Sequence, residues 1–164
     1  MNKVGIYPGT FDPITYGHID VIKRSLTIVN KLIIGVSNEY SKDYLFSSEE
    51  RVSIIKKSLF SDLKFKSKYI KIIPFNTLTT SLCSKYKATI IFRGLRAASD
   101  FEYEFQLAGM NRELNKKIES VFLMSDPDKQ VISSKFVKEI AKLNGKVENF
   151  VTKSTAKAIK AEYD

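Results

Sequence analysis

Residues 3–18 read Lys3-Val4-Gly5-Ile6-Tyr7-Pro8-Gly9-Thr10-Phe11-Asp12-Pro13-Ile14-Thr15-Tyr16-Gly17-His18. The apolar run at 3–7 has the character of a strand, and Pro8-Gly9 reads as the breaker that stops it. From Gly17 the period changes: Ile19, Val21, Ile22, Leu26 and Val29 share one broad helical face. The remainder of the chain repeats this strand, loop and helix unit.

A second strand is expected at 32–36. Ser47 and Glu50 then have the spacing of a capping box at a helix start. A third strand follows at 69–75, a short helix at 77–86, and a fourth strand at 88–92 that ends in Arg93-Gly94. A long helix from about Ser99 runs into 111–114, and a fifth strand covers 120–124. A helix from Ser133 should be stopped by Gly145, and a last helix spans 152–162. Five strands alternating with helices imply parallel pairing through right-handed crossovers, hence a doubly wound α/β sheet. The strands are apolar on both faces, as helices on each side require. The 164 residues suit a single domain over 1–164. In such sheets ligands bind at the carboxyl ends of the strands, where the strand order reverses.

Hydrophobic residues make up 43% and charged residues 27%, which excludes a disordered chain. Lys plus Arg number 27 against 18 acidic residues, a net charge of +9 that suits phosphorylated metabolites or nucleic acid. Cys83 and His18 are the only residues of their kinds. That removes disulfides, cysteine zinc sites and multi-histidine metal clusters. No apolar run approaches the ~20 residues of a membrane span. The first residues lack the apolar stretch of a secretory signal, and a cytoplasmic location is expected.

The unusual residues fall where the sheet would bind a ligand. Gly9 permits close backbone approach, Thr10 offers a hydroxyl and an N–H, and Gly17-His18 open a helix whose dipole favours phosphate oxygens. Arg93 and Arg96 around Gly94 can fork onto phosphate. Lys42 lies in the loop after the second strand, and Ser133, Ser134 and Lys135 open another helix. Each has a plain alternative: a capping histidine, a basic turn, a surface lysine, a serine N-cap. Their gathering at one end of one sheet favours anion chemistry.

These blocks resemble the phosphopantetheine adenylyltransferases. Thr15-Tyr16-Gly17-His18 is similar to that family's variant of the H-x-G-H nucleotidyltransferase signature. Arg93-Gly94-Leu95-Arg96, residues 100–104, residues 119–124 and Ile132-Ser133-Ser134 are similar to its later blocks. The resemblance implies a Rossmann-like fold, ATP and 4′-phosphopantetheine as substrates, Mg²⁺ with the nucleotide, a homohexamer, and coenzyme A as a feedback ligand. It implies that His18 stabilises charge at the α-phosphate and that Thr10 meets both substrates. Lys42, Thr79 and Arg93 would hold 4′-phosphopantetheine. Phe11, Gly94, Leu95, Arg96 and Glu104 would contact ATP, with Lys129, Gln130, Val131, Ile132, Ser133, Ser134 and Lys135. Two positions depart from the family: Lys135 replaces a serine, and Thr79 replaces an apolar residue.

Other readings differ in class. A cytidylyltransferase or nicotinamide-nucleotide adenylyltransferase shares the phosphate machinery without these later blocks. Nucleic-acid binding is suggested by residues 64–69, where cations and aromatics alternate. A solvated loop with Phe65 and Tyr69 facing inward accounts for them more simply, and no nucleic-acid partner is expected. A structural role alone would leave the special residues unexplained.

Overall fold

The apolar runs pair as five parallel strands, and the order in which they pair creates the ligand crevice. A computed structural model describes residues 2–39 and 43–163, with Ser99 described by its backbone alone. The strands are β1 (Val4–Gly9), β2 (Lys31–Ser37), β3 (Ile70–Phe75), β4 (Ile90–Leu95) and β5 (Glu119–Met124). The helices are α1 (Tyr16–Ser25), α2 (Ser48–Lys56), α3 (Thr79–Tyr86), α4 (Ala98–Leu114), α5 (Ser134–Lys142) and α6 (Lys153–Tyr163). The sheet runs β3-β2-β1-β4-β5, so the order reverses between β1 and β4. This is the doubly wound, Rossmann-like arrangement expected from the sequence.

Side-chain alternation sends neighbouring residues to opposite faces. Ile6, Ile33 and Ile91 pack with Leu82 and Cys83 of α3. Tyr7, Leu32, Ile34, Val36 and Phe92 pack on the other face with Ile19 and Ile22 of α1, Ile54 and Ile55 of α2, and Ile159 of α6. Gly5 is required by this packing, because a Cβ there would lie 2.4 Å from the Phe92 ring.

The sequence places the end of the first strand too early. β1 continues through Pro8 to Gly9, opposite Gly35 and Val36 of β2. Towards β4 the pairing is confined to Gly5 with Ile90 and Ile6 with Ile91. Beyond Ile6 the strands part, and Arg93 Nη1 donates to the Pro8 carbonyl at 3.2 Å. A proline is tolerated where one side of the strand is unpaired.

Other boundaries also shift. α4 begins at Ala98, and α2 continues into a wider π-helical segment, Lys57–Asp62. α5 ends at Lys142, with left-handed Asn144 at φ 58 in the role expected of Gly145. The Asn144 and Gly145 N–H groups close the helix onto the Ala141 and Ile140 carbonyls, a Schellman motif. Tyr69 is exposed, contrary to the inward orientation expected, while Phe65 packs against the core. No helix among the described residues is long and apolar enough to cross a membrane.

Candidate active site

Where β1 and β4 part, their loops and those after β2, β3 and β5 enclose a cleft of about 1040 Å³. It lies at the carboxyl end of the sheet. Its wall includes Thr10, Phe11, Thr79, His18, Arg93, Gly94, Arg96, Glu104 and residues 132–135.

His18 occupies the third position of α1, and its ring completes the helix cap. Its Nδ1 accepts the Thr15 N–H at 3.0 Å, in the reciprocal arrangement of a capping box. An Nδ1 that accepts cannot carry the proton, so the neutral imidazole presents Nε2–H as its donor. The ring packs against Phe11, with centroids 5.0 Å apart. Burial first, and the charge of Arg96 second, hold the His18 pKa down to about 4. The imidazole is therefore a neutral hydrogen-bond donor at pH 7.

The direction of this shift has a measurable consequence. The unfolded chain binds the proton near the ordinary 6.5 and the folded chain near 4. The stability contributed by neutral His18 is therefore complete above 6.5 and is lost as pH falls between these values. His18 is the only histidine, so its imidazole proton resonance identifies itself. NMR titration of the ligand-free protein should show no inflection between pH 8 and 5.5; an inflection near 6.5 would mean the ring is solvated and titrates normally.

The second wall is built on β4. Arg93 forks onto Glu104 of α4: Nε to Oε2 is 2.8 Å and Nη2 to Oε1 is 2.6 Å. Burial alone would lower the Arg93 pKa, but hydrogen bonding and charge from Glu104 outweigh it and raise it. Arg93 thus remains a cation, with part of its donor set committed to the protein. Arg96 lines the cleft and pairs with Asp100 at 3.5 Å. The Leu95 side chain is buried and is not part of the wall, so a nucleotide contact at that position would come from its backbone.

The 129–135 segment divides. Ile132, Ser133, Ser134 and Lys135 reach the cleft, whereas Lys129, Gln130 and Val131 do not line it. Lys129 is paired with Asp128, Gln130 donates to the Ser125 carbonyl, and Val131 faces solvent. Ser133 caps α5 by accepting the Phe136 N–H at 3.2 Å, and the Ser134 hydroxyl donates to the Pro13 carbonyl at 2.7 Å. Thr79 stands half-buried at the start of α3. Lys42 lies outside the described residues.

Three residues of the site are absent from the sequence reading. Asp12, 2% exposed, accepts the N–H groups of Leu45 and Phe46 at 2.8 and 3.0 Å and the ammonium of Lys138 at 2.9 Å. Arg51 is buried beneath Thr10, whose carbonyl it holds at 2.8 Å. An Asp-Pro pair is also the composition of an ordinary turn. A lone arginine or lysine in a helix is ordinarily a solvated surface cation. No local signal separates them, because their partners are distant in sequence. Phe11 takes a left-handed backbone, φ 51, between Thr10 and Asp12. Among the described residues no group of three His, Cys, Asp or Glu side chains could hold a metal ion.

Comparisons with known proteins show the family and the fold. The sequence model of the Cytidylyltransferase-like family matches residues 6–140. A phosphopantetheine adenylyltransferase of Pelagibacter ubique (strain HTCC1062) is 62% identical over 164 residues, 100% of both chains. One from Caulobacter vibrioides (strain NA1000 / CB15N) is 48% identical over 160 residues, 98% of this chain and 97% of the relative. The crystal structure of a bifunctional NMN adenylyltransferase/ADP ribose pyrophosphatase from Francisella tularensis, complexed with AMP and a Mn ion, superposes with a TM-score of 0.69. At 14% identity, over 99% of this chain and 51% of that one, it attests the fold alone. With a neutral histidine and two arginines at the switch point of a doubly wound sheet, and relatives matched from end to end, the chain belongs to the phosphopantetheine adenylyltransferase family of nucleotidyltransferase enzymes.

Proposed function

We propose that residues 1–164 form one catalytic unit that transfers the adenylyl group of ATP to 4′-phosphopantetheine, giving dephospho-coenzyme A and pyrophosphate. The observation that carries this reading is His18, a neutral donor of fixed tautomer beside Arg93 and Arg96 in a cleft large enough for two substrates. An oxygen of the acceptor phosphate bonds to the α-phosphorus of ATP. The bond from that phosphorus to the bridging oxygen breaks, and pyrophosphate leaves with the electron pair. The nucleophile is already an anion, so no strong base is needed. The demand is to position two polyanions and offset their repulsion.

In this reading His18 Nε2–H meets the α-phosphate as charge builds there. Arg93, Lys42 and Thr79 hold the acceptor, while Thr10 faces both substrates. Gly94, Arg96, the Phe11 and Leu95 backbones and residues 132–135 serve ATP. Glu104 holds Arg93 and, from the same wall, contacts ATP. Mg²⁺ arrives with the triphosphate and neutralises its oxygens. Coenzyme A shares the pantetheine arm of the acceptor and suits the same side of the cleft as a feedback ligand. We place the reaction in the cytoplasm. The exposed Phe101, Tyr103, Phe105, Met110 and Leu114 on α4 support burial against further copies in a homohexamer.

Direct displacement inverts the configuration at phosphorus. With ATP made chiral at the α-phosphorus, the product should show inversion; retention would reveal a covalent adenylyl-enzyme and contradict the proposed step.

A further inference from the structure

Arg51, in the first turns of α2, is 1% exposed and ranks first by volume among the fully buried side chains. No carboxylate among the described residues lies within ion-pair distance of it. Its donors go to neutral oxygens instead. Nη1 reaches the carbonyls of Thr10 and Ser37, both at 2.8 Å, and Nη2 reaches Asn38 Oδ1 at 3.4 Å. Nε is shared between the carbonyls of Phe46 at 3.1 Å and Ser47 at 3.4 Å. The Tyr44 ring covers the guanidinium at 4.1 Å from its centroid.

A buried cation with no counter-ion among the described residues is costly, and carbonyl dipoles offset that cost only in part. The charge here lies behind the wall of the cleft, since Thr10, Ser37, Asn38 and Tyr44 all line it. The fork also engages the Thr10 and Ser37 carbonyl oxygens, which would otherwise repel a phosphate. Asp12 pins the Leu45-Phe46 segment from the other side, so Arg51 and Asp12 together hold the β1–α1 and β2–α2 connections in one frame.

We propose that Arg51 is a positioning residue for the acceptor side of the cleft. It sets Thr10 against the end of β2 and contributes a positive field that favours the acceptor phosphate. The inference rests on the functional reading above, and it assigns a role to a residue that touches neither substrate.

Steady-state kinetics on Arg51→Lys and Arg51→Met, with thermal unfolding alongside, test it. Lysine keeps the charge and loses the planar fork; methionine loses both. In Arg51→Lys the KM for 4′-phosphopantetheine should rise about tenfold while the KM for ATP stays within about twofold. Arg51→Met should show a larger rise with the same asymmetry. If it does not fold, Arg51→Lys decides alone. A merely structural role would lower the unfolding temperature and leave both KM values unchanged, or move them together, and either result overturns the proposal. No turnover by the wild-type chain overturns the functional reading and this inference with it. Wild-type turnover with an unchanged acceptor KM in Arg51→Lys overturns the inference alone.

Discussion

His18→Ala should lower kcat by about two orders of magnitude or more, with ATP affinity within about threefold of wild type. The effect falls on turnover because the Nε2–H meets charge that exists mainly in the transition state. Loss of an interaction made only there lowers kcat and kcat/KM together. The alanine variant has a second consequence that must be separated from the first. Nδ1 accepts the Thr15 N–H, so removing the ring opens the cap of α1 and costs about 1 kcal/mol of stability. His18→Gln supplies a capping acceptor at the same position. It should recover most of that stability while turnover remains well below wild type. Near-normal kcat in the alanine variant, measured by single-turnover kinetics at saturating ATP, would remove His18 from the chemistry.

Arg93→Ala should raise the acceptor KM by about tenfold or more and destabilise the fold by about 3 kcal/mol. Both effects come from one side chain with two tasks. Arg93 faces the cleft, and it also supplies the bidentate partner of Glu104, whose side chain is 9% exposed. Truncating it strands a buried carboxylate beside two polyanionic substrates, a cost distinct from the loss of a phosphate contact. The Arg93→Ala/Glu104→Gln double variant should therefore be more stable than Arg93→Ala alone, by chemical denaturation. It should also recover part of the lost acceptor affinity. Equal stability of the two variants would show that Glu104 bears no charge needing compensation. A KM effect confined to ATP would mean that the two substrate sides have been interchanged.

What could be read from the sequence follows from locality. Strand and helix periods, the Ser47–Glu50 capping box and the parallel, doubly wound sheet depend on near neighbours or on the rules of parallel sheets. The phosphate-suited loops followed from that topology, because glycine, threonine, histidine and arginine at strand ends carry their chemistry with them. The pairing of those side chains did not follow. Glu104 lies eleven residues from Arg93 across a strand-to-helix turn, and only the packing of α4 on β4 brings them together. Arg51 spaced four after Ser47 looks like any exposed helix residue until α2 docks over the β1 and β2 loops. The persistence of β1 past Pro8 depends on pairing with β2 alone, which no propensity encodes. Asn144, rather than Gly145, takes the left-handed position, and glycine is needed at 145 for a steric reason, since a Cβ there would lie 2.6 Å from the Ile140 side chain.

The most direct test is pyrophosphate release by the purified chain with ATP and Mg²⁺, with and without 4′-phosphopantetheine. Release should depend on the acceptor, with dephospho-coenzyme A formed in equal amount. Pyrophosphate released equally without the acceptor, or none released by folded protein, would contradict it.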